Sequence, residues 1–395
     1  MLSRMKFEIE ALVEEMLDQL PETVWTSNST TFFDPAIGGG QFVRAIEQRL
    51  RERGHSDVNI CKRVSGFEDS ELHIRYAVNK HKLVGQYARK TYEKFFEMDT
   101  TMKFDVVIGN PPYQDADDSG GALWSKIAGT CFNNLVKDDG HVVMLHPPSF
   151  VGKHLSTGKG KSDYSTFMNN QIEQLHLFDD FEKNKYFPGT GTRVCWYVAR
   201  KAKPTMNTQV IGYDRNNRYT FELDFPTTTF LPTVINKNTI SIHKKLIACD
   251  SLKFVQRREL HYHTMKIKKS VNDSQTKNYP FKSYFSHKLV RYADFKFSDY
   301  DAIKLMVPQT STIDKSFVDV NCNVSEDLFY VVCNSISDAK GLQEYLKCNL
   351  VSYIGKMYRP GRNLGSLLGA EIIPVPTSII NWTQEEIDYI EANVK

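Results

Sequence analysis

Between residues 5 and 20, apolar side chains fall at Phe7, Ile9, Leu12, Val13, Met16, Leu17 and Leu20, and Pro21 follows. That spacing predicts an amphipathic helix stopped by the proline. "TTFFDPAIGGGQFVRAIEQRLRERG" then reads as a short apolar strand, a glycine turn and a helix from about Gln41 to Arg53. "KRVSGFED" is a second short strand, and "SELHIRYAVNKHKL" is the helix it feeds. "KFDVVIGNPPY" predicts a buried strand with a loop at its carboxyl end. "ALWSKIAGTCFNNLVKDDGHVVMLHPPSF" predicts a helix, a turn at Asp138-Asp139-Gly140 and a strand. "IEQLHLFDDF" and "TRVCWYVARK" are apolar runs of strand length. Strand–helix alternation of this kind predicts an α/β fold with a doubly wound, mostly parallel sheet.

After Lys203 the texture changes: strand-type residues, asparagine and lysine dominate and glycine turns thin out. A boundary near "ARKAKPTMNTQ" gives a first domain at 1–203, a smaller α+β domain at 204–376, and a helical tail at 377–395. The composition, 41% apolar and 25% charged, is that of a globular chain and excludes a disordered one. The net charge of +3 does not by itself select a partner. Seven scattered cysteines, with no CxxC pair, predict reduced thiols and no metal site. The acidic N-terminus lacks the apolar core of a signal peptide, and no stretch has the length of a membrane span. The expectation is a cytoplasmic protein without a membrane partner.

Three stretches carry candidate chemistry. "FFDPAIGGGQF" follows a strand and opens a helix, the place where glycines let backbone approach a ligand. It is neither a phosphate loop nor a full GxGxxG. Asp34 at the strand end is placed to hold an ammonium group or a water, or to stabilise the turn itself. Glu68, with Asp69 beside it, ends the second strand, where a carboxylate can accept both hydroxyls of a ribose. Asp99 precedes the "NPPY" strand and could accept from an adenine amino group, or be a solvated loop acid.

"NPPY" itself is the most specific signal. Consecutive prolines make a stiff, extended segment with free carbonyls. The Asn110 side-chain oxygen and the Pro111 carbonyl can together accept both hydrogens of one planar NH2 group. Tyr113 offers a flat face for stacking, and Pro112 adds rigidity. An aromatic or amide NH2 is a poor nucleophile because its lone pair is delocalised. Two acceptors pulling on its hydrogens localise that pair, so positioning and electrostatics carry the chemistry without a covalent intermediate.

"DPAIGGGQF" followed by "FDVVIGNPPY" resembles the S-adenosylmethionine-dependent N6-adenine DNA methyltransferases, with the motif order of their gamma group. The resemblance covers residues 1 to about 200 and implies a Rossmann-like methyltransferase sheet, followed by a DNA-recognition domain. It implies that Asp34, Pro35, Ala36, Gly38, Gly40 and Phe42 form the loop at the methionine end of the cofactor. It assigns Glu68 to the ribose, Asp99 to the cofactor's adenine, and Asn110, Pro111, Pro112 and Tyr113 to the target base. "KYFPGTGTRVCWYVARK" resembles the motif whose aromatic packs against the extruded base, which makes Phe187 the partner of Tyr113 across it, with Tyr186 the alternative. Family members commonly carry a Thr-Pro before the first helix. Here the chain reads "MLSRMKFEIEAL", which leaves closure of the cofactor site to other residues, such as Phe7. The Asp34–Glu68 interval is long, with "RERGHSDVNICKR" as the expected insertion.

The implied partner is double-stranded DNA, held through phosphates while the base is flipped out. Lys153, Lys159 and Lys161 sit in the basic loop "GKHLSTGKGKSDY". Residues 253–304 carry twelve Lys/Arg against five Asp/Glu, with aromatics interleaved, and Arg257, Arg258, Lys266, Lys268, Lys269, Lys288 and Arg291 are candidate contacts. Arg359 and Arg362 flank a Pro-Gly turn near the end and complete the set, with a solvated lysine face as the plainer reading. A cognate restriction endonuclease would be a separate chain, and the enzyme a monomer or weak dimer. The alternatives are an NPPY-type enzyme acting on RNA bases or protein glutamine, and a catalytically weak DNA-binding relative.

Overall fold

A computed structural model describes residues 2–98, 101–114, 123–151, 166–167, 169–214, 217–225, 231–232, 234–257, 269–309, 315–358, 368 and 372–394. The chain divides into two compact units, Met1–Phe230 with Val234–Asn236, and Leu231–Thr233 with Lys237–Lys395. In the first, a nine-stranded sheet is built from β1 (Phe32–Asp34), β2 (Val64–Glu68), β3 (Gln86–Arg89), β4 (Phe104–Gly109), β5 (Val136–His146), β6 (Gln171–Leu177), β7 (Cys195–Arg200), β8 (Thr208–Asp214) and β9 (Asn217–Leu223). Its helices are α1 (Leu2–Asp18), α2 (Glu22–Thr26), α3 (Gln41–Glu52), α4 (Asp57–Arg63), α5 (Glu71–His81), α6 (Tyr92–Phe96), α7 (Leu123–Thr130) and α8 (Asp180–Tyr186).

The strand order is β3-β2-β1-β4-β5-β7-β6-β8-β9. Strands β1 to β5 pair in parallel, and β7 lies antiparallel between β5 and β6. This is the doubly wound, mostly parallel sheet that the alternation predicts. Both faces are covered, so β4 carries Val106, Val107 and Ile108 with no exposure at all. On one face Phe32 stacks on Trp25 with centroids 5.4 Å apart, and on the other Phe33 stacks on Phe104 at 4.6 Å. Winding reverses between β1 and β4. In open α/β sheets the ligand crevice lies outside the carboxyl ends of the strands at such a switch.

Three expectations are corrected. "RERGHSDVNICKR" is not a loose insertion: it contains α4, capped by the Ser56 side chain on the Asn59 N–H, with Ile60 fully buried. The Asp138–Gly140 turn does not precede its strand but lies inside β5. Asp139 takes φ 61°, and a Cβ on Gly140 would stand 2.8 Å from the Asp105 carbonyl, so the chain kinks there against its neighbour and runs on. The boundary near 203 comes too early. β8 pairs in parallel with β6, and β9 folds back on β8, so the first unit runs on to Phe230. Val210 and Ile211 face the core while the outer strand β9 is largely exposed, which is why the hairpin reads as a change of texture.

The second unit is α+β. One sheet has the order β10-β12-β11-β15, from β10 (Val271–Asn272), β11 (Phe281–Tyr284), β12 (Val290–Ala293) and β15 (Asn323–Val324). The other, β14-β13-β16, comprises β13 (Ile303–Pro308), β14 (Phe317–Asp319) and β16 (Leu328–Cys333) and is antiparallel. Its helices are α9 (Lys237–Ile247), α10 (Ile336–Tyr345), α11 (Asn349–Tyr358) and α12 (Gln384–Val394). Residues 377–395 include α12, which is no detached tail: buried Glu386 accepts from Ser241 and Lys245 of α9. Among the described residues, no helix is long and apolar enough to cross a membrane.

One buried charge ties the glycine-loop helix to the sheet. Glu47 of α3 is fully buried and accepts from Gly85 N–H at 2.8 Å, Val84 N–H at 3.0 Å, the Tyr87 hydroxyl at 2.6 Å and Arg51 at 3.0 Å. Removing it strands those donors, so Glu47→Ala should cost about 3–5 kcal/mol in urea unfolding. A loss below about 1 kcal/mol would show that the anchor is not needed.

Candidate functional site

The carboxyl ends of β1 and β4 lie side by side, and the loops that leave them form one site. Asp34 ends β1 and is 1% exposed. Its Oδ1 accepts the Ala36 N–H at 2.9 Å, which folds the chain sharply after the strand. Its Oδ2 is buried and has no hydrogen-bond partner. Gly109 ends β4, and a Cβ there would stand 2.7 Å from Asp34 Oδ1 and 3.2 Å from the Pro35 ring. Only glycine permits this approach, which sets Asn110 beside the start of the first loop.

That loop is fixed at several points. Gly38 takes φ 52° and Gly40 takes φ 82°, conformations that glycine reaches without a Cβ penalty. The Gly38 N–H donates to Glu68 Oε2 at 2.9 Å, and the Ile37 N–H donates to the Phe67 carbonyl at 3.1 Å. His81 Nε2 lies 3.1 Å from the Gly39 carbonyl. Phe42, in the first turn of α3, is buried.

Glu68 is nearly buried at the end of β2. Besides Gly38 it accepts the Ser70 N–H and meets His73 Nδ1, both at 3.3 Å. Burial pushes its carboxyl up, but the hydrogen bonds from Asp69, Gly38, Ser70 and His73 outweigh that and hold it below its ordinary range. Asp69, exposed beside it, is pushed up, first by the hydrogen bond it shares with Glu68. The shared hydrogen bond therefore favours the charge on Glu68 over Asp69. A ligand hydroxyl reaching Glu68 would replace the longer contacts with Ser70 and His73.

Asn110 is exposed, Pro111 buried, and Pro112 and Tyr113 half-buried. Tyr113, Tyr186 and Phe187 all pack on the same apolar core. Burial, and then the neighbouring Cys195, push the Tyr113 hydroxyl up, so it stays protonated and neutral. At the end of the adjacent strand β5, His146 stacks on Trp124 at 4.1 Å and contacts the Pro147 carbonyl at 2.8 Å. Burial drives its pKa down to about 3, so this histidine is neutral.

A cavity of about 190 Å³ opens over this region. It is lined by Ala36, Ile37, Gly38, Gly39, Gln41 and Phe42 of the first loop, and by Asn110, Leu145 and Phe187. Its remaining wall is Ile9, Leu12, Val13 and Met16 of α1. Sequence reasoning took that stripe only as the apolar face of a helix; its proximity to the glycine loop has no local signal. Ion pairs fasten α1 onto α3: Arg49 to Glu14 at 2.5 Å and to Asp18 at 2.7 Å, and Arg44 to Glu10 at 3.5 Å. Arg218 of β9 reaches Glu15 at 2.9 Å, and Gln174 of β6 bonds Gln19 at 2.9 Å. The side chain of Phe7 is outside the described residues, as are Asp99, Lys153, Lys159, Lys161, Arg258, Lys266, Lys268, Arg359 and Arg362.

In the second unit, Lys269 and Lys288 are exposed. Arg257 is taken up internally: it pairs with Asp299 at 3.3 Å, donates to the Tyr330 hydroxyl at 3.0 Å and lies over the Phe297 ring. Arg291 pairs with Asp273 at 2.8 Å. Among these candidate DNA contacts, Lys269 and Lys288 are exposed, while the guanidinium groups of Arg257 and Arg291 meet nearby carboxylates.

Asp34 generates a pH prediction. Burial, with a smaller push from Glu68, raises its pKa from 3.8 to about 7. The native state therefore holds a proton that the unfolded chain releases near pH 4, so this residue's contribution to stability declines as pH rises from there through 7. Asp34→Asn cannot lose that proton. Its stability relative to wild type should improve by about 2–4 kcal/mol between pH 4 and pH 8 in urea titrations. A difference that stays flat over this range would place the Asp34 pKa near its ordinary value.

Residues 55–187 match the family model of the Eco57I restriction-modification methylase. No curated relative matches the chain's sequence. Three solved structures are loosely similar. A protein described as a type I restriction-enzyme modification subunit, from Vibrio vulnificus YJ016, shares 15% identity over 53% of this chain and 47% of its own, with TM-score 0.42. The type IIG restriction endonuclease BpuSI shares 10% over 97% of this chain and 59% of its own, also at 0.42. A type I restriction-modification methyltransferase subunit from Streptococcus thermophilus shares 13% over 51% and 47%, at 0.35. The chain thus spans about half to three-fifths of the length of these proteins. The matched segment contains β2 with Glu68, the whole "NPPY" strand and loop, and Phe187, and over this part the chain is similar to that family.

Proposed function

We propose that this chain is a site-specific DNA methyltransferase that moves the methyl group of S-adenosylmethionine to N6 of an adenine flipped out of duplex DNA. The observation that carries the reading is the shared cavity: Asn110 of "NPPY" and Phe187 line it together with the glycine loop after β1. The restriction-modification methylase match implies S-adenosylmethionine as cofactor.

The residues present fit that cofactor. The positive-φ glycines expose loop backbone, Glu68 offers carboxylate acceptors, and the buried, unpartnered Asp34 oxygen lies close behind. In this reading Asp34, Pro35, Ala36, Gly38, Gly40 and Phe42 cradle the methionine end, Glu68 with Asp69 the ribose, and Asp99 the adenine. The apolar stripe of α1 excludes water from its side of the cavity. S-adenosylmethionine supplies an electrophilic methyl group carried on a sulfonium.

The chain's own contribution is to make the amine reactive and hold it in line. Asn110 Oδ1 and the Pro111 carbonyl accept the two N6 hydrogens and localise the nitrogen lone pair. Pro112 keeps the segment stiff. Tyr113 stacks on the base, and Phe187 closes on its other face. The neutral hydroxyl of Tyr113 and the neutral ring of His146 add no charge to this apolar surround. Preorganised acceptors of this sort act at full strength in a water-poor site. The second unit is proposed as the recognition domain, with Lys269 and Lys288, together with the basic segments at 152–164, 258–268 and 359–362, meeting phosphates. The setting is intracellular, and the working state a monomer or weak dimer.

Asn110→Ala tests the reading. Methyl transfer to DNA should be abolished while calorimetric affinity for S-adenosylmethionine stays within about threefold, since the lost contacts belong to the transition state. Loss of cofactor binding would mean that Asn110 serves the cofactor instead. Tyr113→Ala should weaken DNA binding by about 1–3 kcal/mol, the worth of one base–aromatic stack. Binding of matched duplex as tight as wild type would remove Tyr113 from the base site.

A further inference from the structure

Within the cradle described above, one buried carboxyl oxygen has no hydrogen-bond partner. Asp34 is 1% exposed and its Oδ2 has no partner, which is a costly place for a carboxyl oxygen. It is held there by construction: Ala36 N–H fixes Oδ1 at 2.9 Å, and the missing side chain of Gly109 makes room for it. Asp34 lies behind the cavity wall rather than in it: Ala36, which bonds its Oδ1, and Asn110, which follows Gly109, both line the cavity. A methyl group delivered to an amine at Asn110 must come from a sulfonium beside that residue, hence close to Asp34.

We propose that Asp34 couples cofactor binding to release of a proton, and by doing so separates the sulfonium cofactor from its uncharged thioether product. The inference rests on the methyltransferase reading and names what one residue of that site does. A cation entering within about 4–6 Å of a carboxyl favours its ionised form and lowers its pKa by about 1–3. In the free protein the group sits at about 7, so it holds a proton part of the time at neutral pH. When the cofactor enters, the Asp34 O–H bond breaks, the proton leaves to solvent, and the carboxylate faces the sulfonium. Methyl transfer breaks the C–S bond, whose electron pair returns to sulfur, and forms the C–N bond from the amine lone pair, with one N6 proton leaving to solvent, so the positive charge on sulfur is gone. Asp34 then takes the proton back, and the product loses the attraction that held its precursor.

The groups around Asp34 leave it as the responsive one. Glu68 on β2 repels its charge and is itself held in the ionised form, with His73 of α5 on its far side. Tyr87 on β3, Tyr92 on α6 and Cys131 in the turn after α7 all feel Asp34, and burial pushes each of them up and keeps it neutral. Among the described residues, no lysine or arginine acts on the Asp34 carboxyl. An arriving cofactor would bring the first cation to it.

The test is calorimetry of S-adenosylmethionine and S-adenosylhomocysteine in buffers of different ionisation enthalpy, at pH 6 and 7. The two ligands share their amino and carboxyl groups, so their difference isolates the sulfonium. With a free-protein pKa of about 7 and a lowering of about 1–3 on binding, cofactor binding should release about 0.4–0.5 of a proton at pH 7 and about 0.4–0.9 at pH 6. Its affinity should fall about three- to fivefold from pH 7 to pH 6, while the product should show a smaller release and a shallower fall. In Asp34→Asn, which retains the oxygen that accepts from Ala36, the two ligands should give equal proton counts. Equal counts for both ligands on the wild-type protein would overturn the inference without any variant, and so would an unchanged difference in Asp34→Asn. Absence of cofactor binding would sink both the inference and the methyltransferase reading. Intact proton release without methyl transfer to DNA would sink the reading alone.

Discussion

The site depends on one close approach, the end of β4 against the end of β1. Gly109 has no side chain because Asp34 Oδ1 occupies the space where a Cβ would be. That contact lies at the switch in the sheet's winding, where two neighbouring strands send their loops apart and leave a crevice. It seats the glycine loop and Asn110 as neighbours in a single cavity. It also buries a carboxyl that water would rather keep, and the local hydrogen bonds satisfy only one of its two oxygens. The strain of that arrangement falls on protonation rather than on geometry, which is why Asp34 stands out among the acids of the first unit.

Around this contact the chain uses long-range ionic ties to position apolar surface. The stripe Ile9, Leu12, Val13 and Met16 walls the cavity because α1 is fastened to α3 through Arg49 and to β9 through Arg218. The helix that carries the glycine loop is in turn fixed to the entry of β3 through buried Glu47. Much of the energy is in burial, but the register of the wall over the loop is set by these few charged contacts. Partly buried pairs of this kind are less screened by salt than exposed ones.

How much of this was legible beforehand follows from the range of each signal. β1, β2 and β4 are short apolar runs ending in polar or glycine residues, so their existence and their carboxyl ends could be read directly. "NPPY" and "DPAIGGGQF" are local patterns, and local geometry decides what they offer. α4 was missed because its apolar contribution is little more than Ile60, although the Ser56 cap was a readable start. β8 and β9 were assigned to the wrong unit because edge strands carry polar residues on their outer side. The wall from α1 and the pairing of Arg257 and Arg291 with carboxylates depend on partners far away in sequence, and no window of sequence contains both members. The orphaned oxygen of Asp34 belongs to the same class: its cause is Gly109, 75 residues on.

The central claim, transfer of a methyl group to adenine N6 in DNA, is tested most directly by identifying the methylated product. The purified chain would be incubated with methyl-labelled S-adenosylmethionine and mixed-sequence duplex DNA, and the DNA digested to nucleosides. The account predicts that the label elutes as N6-methyldeoxyadenosine. Label in cytosine, in added RNA or in protein glutamine, or in nothing at all, would contradict it.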